Sequence, residues 1–141
     1  MLVPARGSRI LLVEDNQVNQ RLAARMLKKR GHDADVAENG FEALKMLSLK
    51  TYDLILMDCQ MPEMDGFETT RRIRTAEETT GHHIPIVAMT ANALPGDRER
   101  CIEAGMDEYI AKPVHAEMLY QMIETVIARH ASSSTAGTPR S

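Results

Sequence analysis

Only two cysteines occur in the 141 residues, Cys59 and Cys101, far apart and without a Cys-x-x-Cys or Cys/His spacing. That pattern excludes a disulfide framework or a thiolate metal cluster and fits reduced thiols in a cytosolic protein. No apolar run approaches the roughly 20 residues a membrane-spanning helix needs. Met1 to Ser8 also lacks the apolar segment of a signal peptide. The formal net charge is only −3, which excludes wrapping nucleic acid by bulk electrostatics. A Gly-rich phosphate loop and an activated Ser or Cys pattern are missing as well.

What is present is an ordinary core. Hydrophobic residues make up 43% and charged residues 26% of the chain, the balance of one soluble globular domain. Residues 1–8 resemble a protease-site remnant left by an expression vector and are set aside. Ser132 to Pro139 is small and polar, so the domain is expected over residues 9–130, with a disordered tail or linker stub over 131–141.

The most informative stretch is Leu54-Ile55-Leu56-Met57-Asp58, an apolar run that ends in a carboxylate and is followed by Pro62 and Gly66. It reads as a strand buried on both faces, and an acid at the exit of such a strand is costly unless something binds it. Ile10 to Val13 reads as a first buried strand, stopping at Glu14-Asp15. Asn16 can cap a helix carrying Val18, Leu22 and Met26, with Ala23 and Leu27 alongside and Gly31 closing it. Asp33 to Ala37 has the polarity of an edge strand. Asn39 with Glu42, and Asp65 with Glu68, are capping patterns that open two more helices, the first with a Phe41, Leu44 and Leu47 stripe and the second reaching about Ala76. Pro85 to Met89 is a fourth strand ending at Thr90, and Asn92 to Ala104 a charged helix with Pro95 in its first turn and Gly105 at its end. Glu108 to Ala111 is the last strand, stopping at Lys112-Pro113. A final helix has two candidate stripes, Met118/Met122/Val126 and Leu119/Ile123/Ile127.

Five strand–helix alternations with apolar strands predict an α/β fold: a five-stranded parallel sheet covered on both faces, doubly wound and flavodoxin-like, in the order 2-1-3-4-5. In such a sheet all strand C-termini share one edge. Glu14-Asp15, Asp58, Thr90 and Lys112 therefore converge on one rim. Three crowded carboxylates favour a hard octahedral cation, and Mg²⁺ is the natural candidate. Lys112 offers a point charge and Thr90 a hydroxyl donor for a phosphate. An Asp nucleophile, a metal site and charge stabilisers are the minimum for forming an aspartyl phosphate.

Val13-Glu14-Asp15-Asn16, Met57 to Gly66, Met89-Thr90-Ala91-Asn92-Ala93 and Lys112-Pro113 together resemble the receiver domain of two-component response regulators. The wording is most similar to receivers attached to hybrid sensor histidine kinases. The resemblance implies that Asp58 accepts phosphate from a phosphohistidine. It implies that Glu14, Asp15, Asp58 and the backbone carbonyl of Gln60 hold Mg²⁺, for which Mn²⁺ could substitute. Thr90 and Lys112 are then expected to bind the phosphoryl group, with Lys112-Pro113 a cis peptide. Tyr109 matches the switch aromatic, Gln60 and Asn92 stand where dephosphorylation rate is tuned, and His115 replaces a stronger helix cap. The implied partners are a histidine kinase phosphoacceptor domain and a histidine phosphotransfer domain, with no nucleic acid and no membrane insertion of the domain itself. The implied setting is the cytoplasm, free or tethered to the inner membrane through a parent kinase. Any activity of the domain itself is expected to stop at autodephosphorylation.

Two rivals remain at this level. One is a Mg²⁺-dependent phosphatase with an aspartyl nucleophile, whose Asp-x-Asp motif is broken here by Gln60. The other is a receiver-like binding module that is never phosphorylated. A stand-alone regulator and a domain cut from a longer chain are both compatible with the chemistry; the motif wording favours the second. His82-His83 reads as a loop pair rather than a metal site.

Overall fold

The computed structural model describes residues 8–91 and 96–136, with the side chains of 131–136 excepted. Strands β1 (Arg9–Val13), β2 (Asp33–Ala37), β3 (Leu54–Asp58), β4 (Ile86–Thr90) and β5 (Glu108–Ala111) alternate with helices α1 (Gln17–Lys29), α2 (Gly40–Leu49), α3 (Gly66–Glu77), α4 (Asp97–Ala104) and α5 (Ala116–Ala136). The strands form one parallel sheet in the order β2-β1-β3-β4-β5. The register aligns Val13 with Met57, Asp58 with Met89 and Thr90 with Ala111, so the strands end level with one another.

The pleat divides the apolar runs between two cores. Leu11, Val13, Ile55, Met57, Ile86 and Ala88 face one side, with Ile73 and Cys101 from α3 and α4. Ile10, Leu12, Leu54, Leu56, Val87 and Met89 face the other, against Leu27 of α1 and Leu119, Ile123 and Val126 of α5. Successive strand residues point to opposite faces, and here both faces are covered, which is why the strands read as unbroken hydrophobic runs. Each fully buried Leu or Ile contributes roughly 1.5–3 kcal/mol.

The expected caps form. Asn16 accepts from the Asn19 amide at 3.0 Å, Asn39 from Glu42 at 2.8 Å and Asp65 from Glu68 at 2.8 Å. Gly31 adopts φ 88° just past the end of α1, the left-handed step that stops a helix. The Asp65 box is only half made, because the Glu68 carboxylate is drawn to Arg71 and Arg72 instead.

Two helix stripes differ from the sequence reading. Val18 and Leu22 are exposed, and α1 buries Ala23 and Leu27 instead; the small Ala23 lets the helix lie close to the sheet. Phe41 is likewise exposed, beneath the Arg72 guanidinium at 5.9 Å, while Ala43 takes the buried position in α2. The described part of helix α4 begins at Asp97, with Gly96 at φ 96° as its N-cap; Asn92 and Pro95, expected in its first turns, lie outside the described residues. Helix α5, for which the sequence reading set no end, runs from Ala116 to Ala136. Residues 1–7 and 137–141 lie outside the described residues.

Helices α1 and α5 are clasped together. The Tyr120 hydroxyl donates to the Met26 carbonyl at 2.8 Å, and Arg30 pairs with Glu124 at 3.0 Å. Beside this clasp lies His32, 3% exposed and with neither ring nitrogen hydrogen-bonded. Burial holds its pKa below 6.5; Glu124 opposes the shift and Arg30 adds to it. The unfolded chain therefore takes up this proton before the native state does, so stability is full above about 6.5 and declines as pH falls through the window below it. We expect His32→Leu to lose less stability than wild type between pH 7.5 and 5.5. Urea midpoints across that range measure it, and parallel slopes in the two proteins would count against the assignment.

Candidate functional site

The aligned strand ends bring together side chains that are remote in sequence. Glu14 follows β1, Asp58 ends β3, Thr90 ends β4 and Lys112 follows β5. Glu14 and Asp58 are 2% and 3% exposed, Thr90 is buried, and Asp15 faces solvent. One ligand atom from each of Glu14, Asp15 and Asp58 falls within 4.8 Å of the other two. Lys112 reaches across the rim, its Nζ 3.1 Å from Glu14 Oε1 and 3.3 Å from Asp58 Oδ1.

Backbone and polar groups hold the two buried acids in place. The Gln60 amide donates to Asp58 Oδ1 at 3.1 Å. The Asn16 amide donates to Glu14 Oε2 at 3.2 Å, and the Gln20 side chain donates to the Glu14 carbonyl at 2.7 Å. The loop after β3 folds back tightly, with the Gly66 amide donating to the Cys59 carbonyl at 3.1 Å. A Cβ on Gly66 would run into the Asp58 carbonyl oxygen and come 2.9 Å from Cys59 Cα. Only glycine lets α3 begin so near the acid. In the same loop Glu63 adopts φ 70°.

Burial, then the neighbouring Glu14 carboxylate, pushes the Asp58 pKa up to about 6. The Gln60 amide and Lys112 pull the other way. For Lys112, burial disfavours the charge, but Asp58 and Glu14 outweigh it and its pKa is raised. Among the described residues Lys112 is thus the cation paired with the two buried acids, beside one exposed acid. The pocket is net acidic, and its donors are all oxygen, the set a hard divalent ion takes.

The remaining expected residues are placed as follows. The Lys112-Pro113 bond is cis. Gln60 is exposed at the mouth of the site. Tyr109 is half-buried on β5 and pairs with Ala88, one pleat below Thr90 on the neighbouring strand. Asn92 lies outside the described residues. His83 stays in its loop, hydrogen-bonded to Asp107 at 2.8 Å. Three contributors escaped the sequence reading: Asn16 and Gln20 as supports of Glu14, and Gly66 as a close-approach glycine rather than a plain helix breaker. A short polar run directly after an acidic pair was the available signal.

The response regulator receiver domain family matches residues 10–124. The chain is 42% identical over 127 residues to hybrid signal transduction histidine kinase I of Dictyostelium discoideum, covering 86% of this chain and 7% of that one. It is 43% identical over 136 residues to histidine kinase 3 of Arabidopsis thaliana, covering 83% and 13%. It therefore spans only a small part of the curated relatives it matches. Among solved structures it is similar to the receiver domain of the sensor histidine kinase PA1611 from Pseudomonas aeruginosa, which holds a magnesium ion in its active-site cleft (44% identity, TM-score 0.79, 86% of this chain and 98% of that one). It is also similar to a chain from the complex of the Saccharomyces cerevisiae histidine phosphotransfer protein Ypd1 with the receiver domain of Ssk1 (30% identity, TM-score 0.84, 89% and 92%). Fold and site define a doubly wound α/β domain with an acidic rim. The chain belongs to the response regulator receiver domain family, and its relatives are receivers of the hybrid histidine kinase type.

Proposed function

We propose that Asp58 takes a phosphoryl group from a phosphohistidine and that the aspartyl phosphate works as a signalling switch or relay step. The observation that carries this is a buried carboxylate at a strand exit, 3.3 Å from a lysine and within 4.8 Å of two further acids. Lys112 and the Gln60 amide orient the carboxylate through its Oδ1, and a carboxylate oxygen attacks phosphorus as the bond to the histidine nitrogen breaks. Thr90 and Lys112 hold the phosphoryl oxygens after transfer. Glu14, Asp15, Asp58 and the Gln60 carbonyl are the groups that hold Mg²⁺ or Mn²⁺, which when bound supplies positive charge against the incoming phosphate.

The new dianionic group draws Thr90 and Lys112 inward, and Tyr109, one pleat away, repacks with them. Shifting such an equilibrium from mostly off to mostly on takes roughly 5 kcal/mol of differential interaction. Gln60 at the mouth, with Asn92, sets how readily water reaches the phosphoryl group. The partners are the phosphohistidine domain of a kinase and a histidine phosphotransfer domain. Helix α1 supports this, because Val18 and Leu22 are exposed on a helix that carries Arg21, Arg25, Lys28 and Lys29 and no acid, and Leu22 lines a cavity together with Glu14.

Phosphoramidate, which carries the same phosphorus–nitrogen bond as a phosphohistidine, provides the test. With Mg²⁺ the chain should gain one phosphoryl group, and a chelator should slow the gain by about 10²-fold or more. No modification with Mg²⁺ present would favour a binding module. Repeated turnover of phosphomonoesters would revive the phosphatase reading.

A further inference from the structure

The two cysteines that look unrelated in the sequence meet in the fold. Cys59 directly follows the phosphoacceptor candidate, and Cys101 lies on the inward face of α4. They are 4% and 1% exposed and belong to the same core cluster. The two thiols are close enough in the fold to interact directly. Both line a cavity of about 530 Å³ that also reaches Gln60, Thr90, Phe67 and Arg100. A small neutral oxidant can therefore approach two adjacent sulfurs from the side of the phosphorylation site.

We propose that Cys59 and Cys101 are an oxidation site, joined by peroxide into a disulfide that fastens α4 to the phosphoacceptor strand. The Cys101 sulfur attacks one peroxide oxygen, the O–O bond breaks, and a sulfenic acid and one water result. Cys59 then attacks the sulfenic sulfur; the S–S bond forms, the S–O bond breaks, and a second water leaves. Two thiols and one hydrogen peroxide thus become one disulfide and two waters. Closing the bond requires the two sulfurs to come within about 2.05 Å of each other. Burial of both sulfurs makes the first step slow, so the site answers sustained oxidation rather than a brief pulse.

The consequence for signalling rests on the function proposed above. Helix α4 follows β4, whose last residue is Thr90. A bond from α4 to the residue after Asp58 ties together the two elements that Thr90 must move between. The oxidised chain should accept phosphate at a rate changed by roughly fivefold or more, a coupling of ordinary allosteric size.

The experiment treats the chain with hydrogen peroxide, blocks remaining thiols with N-ethylmaleimide in denaturant, and maps the peptides. Expected is paired loss of both thiols and one reducible peptide joining Cys59 to Cys101, absent in Cys101→Ser. Two thiols that still react fully, or separate sulfinic and sulfonic products without a cross-link, would overturn the site. If the cross-link forms while acetyl phosphate still modifies oxidised and reduced protein at equal rates, the coupling is wrong though the oxidation site stands. If neither form is modified, the phosphoacceptor reading itself fails. Recovery of the reduced rate with dithiothreitol completes the positive result.

Discussion

Asp58→Ala should fold, and it should gain nothing from acetyl phosphate and Mg²⁺, while the wild-type chain gains the mass of one phosphoryl group. Loss is expected to be complete rather than partial because no neighbour can replace this acid. Glu14 is nearly as buried, but Lys112, Asn16 and Asn19 already occupy its oxygens. Asp15 faces solvent rather than sitting buried at a strand end. A modified Asp58→Ala protein would place the phosphoacceptor elsewhere.

The same variant has an opposite effect on stability. A carboxylate whose pKa is raised to about 6, chiefly by burial and then by Glu14, is a burden when ionised. The sign follows from linkage. The native state holds this proton to higher pH than the unfolded chain, so the group costs stability as pH rises from the ordinary carboxylate range through about 6. Without divalent ions at pH 7.5, Asp58→Ala should be more stable than wild type, by on the order of 1–2 kcal/mol, because Lys112 keeps Glu14 as a partner. A melt of the chelated variant below wild type would show that the carboxylate is not strained in its pocket.

The frame of the molecule was legible in the sequence, for definite reasons. Leu54 to Met57 is buried on both sides; five strand runs alternating with helical patterns implied a covered parallel sheet, and right-handed crossovers left few strand orders. The convergence of Glu14, Asp58, Thr90 and Lys112 needed no more than parallel topology. The helix faces were less legible. Val18, Leu22 and Phe41 have the right spacing and chemistry for burial yet lie outside, since periodicity cannot say which of two neighbouring stripes meets the sheet when small residues such as Ala23 and Ala43 also fit. The contact between Cys59 and Cys101 was not legible at all. It depends on how α4 packs against the rest of the core cluster that holds both residues, a tertiary distance that no local spacing encodes.

Lys112→Met should be the most damaging substitution in the site for chemistry and stability together. Methionine keeps much of the side-chain bulk and removes the charge, leaving Glu14 and Asp58 with no cation between them. One partner lost from a buried ionic cluster costs about 3–5 kcal/mol; Lys112 retains some exposure, 21% of its side chain, so the lower end applies. Transfer from acetyl phosphate should fall by about 10²–10³-fold, the usual effect of deleting one charge stabiliser. Lys112→Arg should recover less than a tenth of the rate, since a planar guanidinium does not stand in for a compact ammonium held between two carboxylates. Added Mg²⁺ should raise the melting temperature of Lys112→Met by more than that of wild type, because a divalent ion relieves the acid–acid repulsion that the lysine no longer offsets. A variant whose melting ignores divalent ions while its transfer rate stays near wild type would remove both the cation site and the role given to this lysine.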